Sequence, residues 1–182
     1  MRILYWPLTP GTAIFKQKRV GQFDRYFTLY KFRTMRVGTP DLPSDMVQKD
    51  DQRFTRLGRL LRRLSIDELP QLFNIIKGDM NFIGPRPALY NQEDLIEMRR
   101  SVGVNRLKPG VTGWAQVNGR DNIPVERKVE LDRYYLENRS LMLDLRILWL
   151  TLVKCLGGVD LYSQETRFDE PSSAGDKRRP SM

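Results

Sequence analysis

Histidine is absent from the 182-residue sequence, and cysteine occurs once, at Cys155. Without histidine, no Ser-His or Cys-His nucleophile pair can be assembled, and histidine-ligated zinc is excluded. A single thiol makes neither an internal disulfide nor a cysteine cluster, which fits a reducing compartment. Long hydrophobic runs are missing as well. A spanning helix needs about 20 predominantly apolar residues, whereas the most apolar window, 141–156, is interrupted by Asp144, Arg146 and Lys154. The opening residues, MRILYWPLTPG, are too short and wrongly flanked for a signal peptide. Membrane contact, if this chain makes any, is therefore expected to be that of a chain lying on the surface. Acid–base and nucleophilic work falls to carboxylates, Lys, Tyr, Ser or Thr.

What is present in excess is positive charge: 31 Lys and Arg against 22 Asp and Glu, a net +9. Such a surface favours polyanions, whether nucleic acid, acidic lipid headgroups or a phosphorylated small molecule. No recognition helix, zinc motif or RNA-recognition signature accompanies the charge, which argues against nucleic acid. The length suits one domain with one substantial core.

Periodicity divides the chain into a short β part and a longer helical part. Residues 12–20 and 26–33 read as strands joined around Gly21-Gln22-Phe23-Asp24, a hairpin in which Tyr26, Thr28, Tyr30 and Phe32 alternate with Phe27, Leu29, Lys31 and Arg33. Residues 37–51 are polar and proline-rich and read as loop. Leu57, Leu60, Leu61 and Leu64 then recur at helical spacing, flanked by Arg56, Arg59, Arg62 and Arg63. Ser65 breaks that helix, and Leu69, Leu72, Phe73 and Ile76 form a second stripe ended by Gly78. Met80, Phe82 and Ile83 read as core. Gly84-Pro85-Arg86-Pro87 is a rigid turn, because two prolines bracketing one arginine leave its side chain few directions. Residues 89–100 read as helix, and residues 108–119, with Trp114 and Gln116, as loop. Pro124 opens a charged helix to about Asn138, and Ser140 caps another that runs to Gly157-Gly158. In that last helix Trp149 is either core or at headgroup level, with Arg146 and Lys154 reaching toward phosphates. From Ser163 onward Pro, Ser, Gly and charge dominate, the composition of a flexible tail.

Ser65-Ile66-Asp67-Glu68 admits two readings. Ser65 and Glu68 match the S-x-x-E capping box, in which each side chain satisfies the other's backbone N–H, and this is the commoner meaning of the spacing. In the other reading, Asp67 stays ionised through the helix dipole and Arg62 and Arg63, and attacks phosphorus without a base. Glu68 beside it can hold Mg²⁺, which prefers carboxylate oxygens and substrate phosphates. The arginines are by default a solvated face, with Arg62 the candidate for a phosphate contact. Lys31 and Arg33 are by default the charges of an edge strand.

Several ordered blocks then carry a resemblance: Lys31-Phe32-Arg33-Thr34-Met35; Arg56-Leu57-Gly58-Arg59; Ser65-Ile66-Asp67-Glu68-Leu69-Pro70-Gln71-Leu72-Phe73-Asn74; Lys77-Gly78-Asp79-Met80; Gly84-Pro85-Arg86-Pro87; and Arg106 through Arg120. With Asp132, Tyr134, Tyr135, Asn138, Ser140 and Asp144, they resemble the bacterial sugar transferase family, the monotopic phosphoglycosyl transferases, over roughly residues 10–157. The resemblance implies an α+β fold: one mainly helical domain with a small N-terminal β-hairpin and amphipathic membrane-surface helices. It implies a catalytic domain over 12–162, a membrane-proximal start over 1–11 and a flexible tail over 163–182.

By the same resemblance, Asp67 is the nucleophile toward the β-phosphate of a UDP-sugar, with UMP as leaving group, and Glu68 is the Mg²⁺ ligand. The sugar phosphate passes on to undecaprenyl phosphate and initiates polysaccharide, O-antigen or glycoprotein glycan synthesis on the cytoplasmic face of the bacterial inner membrane. Pro85, Arg86 and Pro87 are implied at the nucleotide, and Arg62, Lys31, Arg33, Gln116 and Arg120 complete the candidate substrate contacts. Two departures stand out. Family members usually carry a long apolar segment just before the first strand, and the present match begins near Thr9-Pro10-Gly11, so a truncated chain or a misplaced start is expected ahead of reliance on interfacial helices alone. Arg139 occupies a position where an aromatic or apolar residue is common. The rival readings are a catalytically silent scaffold subunit and a basic nucleic-acid-binding domain.

Overall fold

A computed structural model describes residues 12–40, 52–119 and 123–157. The expected hairpin forms from β1 (Ile14–Val20) and β2 (Tyr26–Phe32), antiparallel with Ile14 opposite Phe32 and Val20 opposite Tyr26. Its tip is tight because Phe23 (φ 54°) and Asp24 (φ 60°) both adopt the left-handed conformation that hairpin turns require. Asp24 then accepts hydrogen bonds from Arg100 Nε and Asn105 Nδ2, at 3.0 and 3.1 Å, which ties the tip to the helical part.

Helix α1 (Arg56–Arg63) is capped by Thr55, whose hydroxyl accepts from the Gly58 N–H at 2.9 Å. Gly58 lets α1 pack directly on the chain leaving β2: a Cβ there would lie 2.0 Å from the Thr34 carbonyl oxygen. A 3₁₀ turn (Ile66–Glu68) and α2 (Gln71–Ile76) follow. The remaining elements are β3 (Asn81–Ile83), α3 (Glu93–Ser101), β4 (Gly110–Thr112), α4 (Trp114–Gly119), α5 (Val125–Glu137) and α6 (Leu141–Gly157). The architecture is α+β, as expected.

The span read as loop over 108–119 is instead a strand and a helix. β4 pairs in parallel with β3, Asn81 beside Gly110 and Ile83 beside Thr112, and Trp114 and Gln116 lie on α4. Three residues are too few to show an alternating pattern, and glycines conceal this pairing in the sequence; a Cβ on Gly110 would stand 2.1 Å from the Gly84 nitrogen. Helix α3 begins at Glu93 rather than Leu89, because residues 89–92 form a turn in which Gln92 Oε1 accepts from the Leu89 N–H. The Ser140 cap is formed, its hydroxyl accepting from the Leu143 N–H at 3.2 Å. Residues 1–11, 41–51 and 158–182, which include the expected membrane-proximal start, most of the proline-rich loop and the tail, lie outside the described residues.

Two apolar clusters make the core. One joins Val20, Ala88, Leu95 and Val129; the other joins Leu107, Val117, Tyr135 and Ile147. Helix α5 contributes to both and so links the hairpin side to α6. The stripes of α1 and α2 do not join them. Leu60, Leu64, Leu69, Leu72 and Phe73 are exposed, Ile76 is 82% exposed, and it is Gln71 and Asn74 that turn inward on α2. Asn74 explains the inversion. Its Nδ2 donates to Thr28 O at 2.7 Å and to Asp79 Oδ2 at 3.2 Å, while its Oδ1 accepts from the Tyr30 N–H at 3.1 Å, so α2 docks on β2 by a polar bracket. Met80 is core as expected, Ile83 packs at its edge, and Phe82 is exposed, because alternation on β3 sends it to the opposite face.

On α6, Leu141, Met142, Leu145, Leu148, Trp149 and Leu152 are exposed while Ile147 is fully buried. Arg146, though exposed, and half-buried Lys154 both contact the protein. Arg146 lies over the Trp114 ring at 5.5 Å, and Lys154 Nζ donates to the Val117 carbonyl. Among the described residues, no helix is long and apolar enough to cross a membrane.

Candidate active site

The 3₁₀ turn between α1 and α2 carries Asp67 and Glu68. Ser65 (φ 56°, ψ 18°) is left-handed and makes no side-chain cap, so the capping box does not form. The positive φ at Ser65 ends α1 and turns both carboxylates toward the hairpin. Asp67 is 7% exposed.

Glu68 is held by two cations from distant segments. Lys31 Nζ, on β2, lies 2.9 Å from Glu68 Oε1, and Arg86 Nη2 lies 3.1 Å from the same oxygen. Burial alone would push the Glu68 carboxyl up, but Lys31 and Arg86 outweigh it and hold the group down at about 2. Asp67 behaves oppositely. Burial raises its pKa and the neighbouring Glu68 adds to the rise, against Lys31, Arg62 and Arg86. Of the charges expected to favour the ionised form of Asp67, Arg62 does act on it, and it does so together with Lys31 and Arg86, against the cost of burial. Lys31 is lowered by its own burial, opposed by Glu68. It is no solvated edge-strand charge.

The sequence-derived candidates separate into groups. Lys31, Asp67, Glu68 and Arg86 meet directly, and Arg62 lies close enough for its charge to act on Asp67 while its guanidinium rests 5.0 Å over the Phe54 ring. Arg33 instead donates to Thr12, from Nε to the carbonyl at 2.9 Å and from Nη2 to the hydroxyl at 3.0 Å. Gln116 Nε2 donates to Val111 O at 3.2 Å, and its Oε1 is buried with no hydrogen-bond partner among the described residues. Neither Arg33 nor Gln116 contacts the carboxylates. Arg120 lies outside the described residues. Arg139 is exposed and lines an open polar cleft with Arg106 and Lys108, away from Asp67.

Pro85 and Pro87 shape the turn that presents Arg86, and buried groups missed in the sequence hold that turn. Arg99 donates from Nη1 to Arg86 O at 2.8 Å and pairs with Asp132; Arg19 donates from Nη1 to Pro87 O at 2.9 Å. A signal existed for Arg99: it lies four residues after Leu95 on the buried face of α3, where a basic residue needs a partner.

Among the described residues no group of three or more Asp, Glu or Cys side chains could hold a metal by itself. Mg²⁺ does not require one, since it is typically bound by one or two carboxylates together with substrate phosphates. The donor set fits that pattern. Glu68 is ionised over the whole neutral range, both of its protein contacts fall on Oε1, and Asp67 is adjacent.

Comparison with known proteins places this arrangement. The family described as bacterial sugar transferase matches residues 1–158. An uncharacterized sugar transferase, EpsL, of Bacillus subtilis is 49% identical over 144 residues, which are 79% of this chain and 70% of that protein. The UDP-N-acetylgalactosamine-undecaprenyl-phosphate N-acetylgalactosaminephosphotransferase of Aeromonas hydrophila is 41% identical over 155 residues, 82% of this chain and 37% of that protein. The UDP-glucose:undecaprenyl-phosphate glucose-1-phosphate transferase of Escherichia coli is 37% identical over 153 residues, 80% of this chain and 33% of that protein. The chain thus spans most of the first relative but only about a third of the other two.

Proposed function

Because this chain belongs to the bacterial sugar transferase family, we propose that it is a phosphoglycosyl transferase moving a sugar 1-phosphate from a UDP-sugar to undecaprenyl phosphate through Asp67. The observation that carries this reading is the adjacency of two carboxylates, buried Asp67 and half-buried Glu68, whose pKa values are moved in opposite directions. One is held strongly ionised by Lys31 and Arg86, and the other is raised by burial. Relatives named for UDP-sugars and undecaprenyl phosphate support the donor and acceptor.

The Asp67 carboxylate attacks the β-phosphorus of the donor. A bond forms from its Oδ to phosphorus, the bond to the bridging oxygen breaks, and UMP leaves with that oxygen and its electron pair. An oxygen of the lipid phosphate then attacks the same phosphorus, the acyl phosphate bond breaks, and the Asp67 carboxylate is regenerated with a lipid diphosphate sugar as product. Burial makes Asp67 a poorly solvated and hence reactive anion, while Lys31, Arg62 and Arg86 supply fixed positive charge where the phosphoryl oxygens and the leaving phosphate gain negative charge. Mg²⁺, held by Glu68 and donor phosphate oxygens, would add charge neutralisation at the same place.

The exposed apolar face of α6, with Leu141 77% and Trp149 65% exposed, supports work at a lipid surface. The proposed place is the cytoplasmic face of the bacterial inner membrane, where the reaction initiates glycan synthesis. Intact-mass measurement after incubation with Mg²⁺ and a panel of UDP-sugars should show one phosphosugar added, with UMP released. Asp67→Asn should show none; if it forms as much adduct as wild type, the nucleophile is another residue. Absence of adduct in the wild type, with UDP-sugars bound but unchanged, would favour a scaffold.

A further inference from the structure

The turn that presents Arg86 cannot be secured in the usual way. Prolines at 85 and 87 have no N–H to donate, so tethering falls to the carbonyls. Four consecutive carbonyls are taken. Pro85 O accepts from Gly110 N and Ala88 O from Val20 N, both at 2.9 Å. The two between them are taken by side chains: Arg86 O by Arg99 Nη1 at 2.8 Å and Pro87 O by Arg19 Nη1 at 2.9 Å.

The two arginines are built alike. Arg99 places Nε and Nη2 on Asp132 Oδ2, at 3.0 and 2.5 Å, and Arg19 places Nε and Nη2 on Gln17 Oε1, at 2.9 and 2.6 Å. In each case two nitrogens are anchored on a buried acceptor and the third is aimed at the turn. All four side chains are at least nine-tenths buried, Asp132 at 1% exposure. Pro85, Pro87 and Ala88 are themselves buried, but apolar packing beside the turn is incomplete, leaving a small hollow lined by Val20, Pro85, Pro87, Ile96, Arg99 and Leu107. Nor is a buried ion pair efficient as stability alone, since well-packed apolar residues often do as well.

We propose that Arg99 and Asp132, with Arg19 and Gln17 on the other side, are positioning residues that hold the Arg86 guanidinium on Glu68 by clamping the carbonyls of the Pro85–Pro87 turn. The inference rests on the role given to Arg86 above. The guanidinium fork is essential to it. A lysine at 99 could still pair with Asp132 but has no rigid third donor for Arg86 O.

The test is a double-mutant cycle in the full chain, read as kcat/KM for UMP release from the UDP-sugar that gives adduct. Arg99→Lys is expected to lower kcat/KM about tenfold in the wild-type background while melting cooperatively, and to cost nothing further in an Arg86→Ala background. Arg19→Lys gives the same cycle through Pro87. Equal losses in both backgrounds, no loss in the wild-type background, or loss of cooperative melting in both lysine variants would overturn the positioning role and leave the arginines as core. The donor reading fails separately, if Arg86→Ala alone leaves UMP release unchanged. A donor-independent arm then decides the clamp. In urea unfolding, Arg99→Lys and Glu68→Gln, which do not touch, should be non-additive, and additive once Arg86 is alanine. Additivity with Arg86 present would overturn it.

Discussion

The Lys31 ammonium reaches from β2 to within 2.9 Å of Glu68 Oε1 and closes an ion pair across 37 residues of sequence. That contact ties the hairpin to the turn carrying both carboxylates. It also makes Lys31 the largest charge opposing the rise of the Asp67 pKa. One cation therefore serves two carboxylates, lying on one and restraining the protonation of the other.

Removing Lys31 should move a pH profile. Attack by Asp67 needs the ionised form, and burial already raises its pKa above the ordinary 3.8. Lys31→Met deletes the main opposing charge, so the acid limb of adduct formation should shift to higher pH. Single-turnover rates of adduct formation across the acid range check this. A limb that stays in place would mean that Lys31 does not act on the nucleophile.

Glu68 makes the opposite contribution to stability. Its folded-state pKa of about 2 lies below the ordinary 4.5, so its stabilisation is fully present above about pH 4.5 and is lost as pH falls toward 2. Glu68→Gln leaves Lys31 and Arg86 without their shared anion. The expected cost at neutral pH is about 2–3 kcal/mol, somewhat below that of breaking a fully buried pair. The loss should shrink in acid, where Glu68 of the unfolded wild-type chain takes up a proton and so removes much of the advantage of the native ion pairs. Urea denaturation of both proteins at neutral pH and near pH 3 measures the difference; a gap that does not narrow in acid would assign the cost to packing.

Gly58→Ala should loosen the site without touching it. The added Cβ would meet the Thr34 carbonyl oxygen at 2.0 Å, and backbone cannot move aside as a side-chain tip can. Helix α1 must shift, carrying Arg62 away from Asp67. A loss of about 1–3 kcal/mol, typical of overpacking, should appear in denaturation together with slower adduct formation. Full stability in the variant would show that α1 tolerates displacement.

The exposed face of α6 should partition onto lipid. Trp149 is expected to shift its emission to shorter wavelength when the protein meets phospholipid vesicles. Leu145→Asp or Leu152→Asp should weaken vesicle binding about tenfold or more, because each apolar side chain contributes about 1.5–3 kcal/mol when buried. Unchanged partition in both variants would remove α6 from the membrane contact.

Elements whose signals are local were legible in the amino-acid order. Alternation in 26–33 predicts β2, leucine spacing predicts α1, and Ser140 predicts the start of α6. It also singled out Asp67, Glu68 and Arg86, through the order of motifs along the chain. What it could not determine was which residues face each other. A Ser-x-x-Glu spacing reads more commonly as a cap than as a site. The left-handed Ser65 excludes the cap, and Lys31 and Arg86 converge on Glu68, which no local spacing could announce because these partners come from β2 and from a turn 18 residues downstream. The apolar stripes of α1 and α2 misled for the same reason: period shows that a helix has two faces, not which of them is inside. Asn74, with three hydrogen bonds from one fully buried side chain, turned α2 around. Arg33 and Gln116, which the sequence ranked beside Lys31 and Arg86, instead donate to Thr12 across the hairpin and to the Val111 carbonyl, and neither reaches the carboxylates.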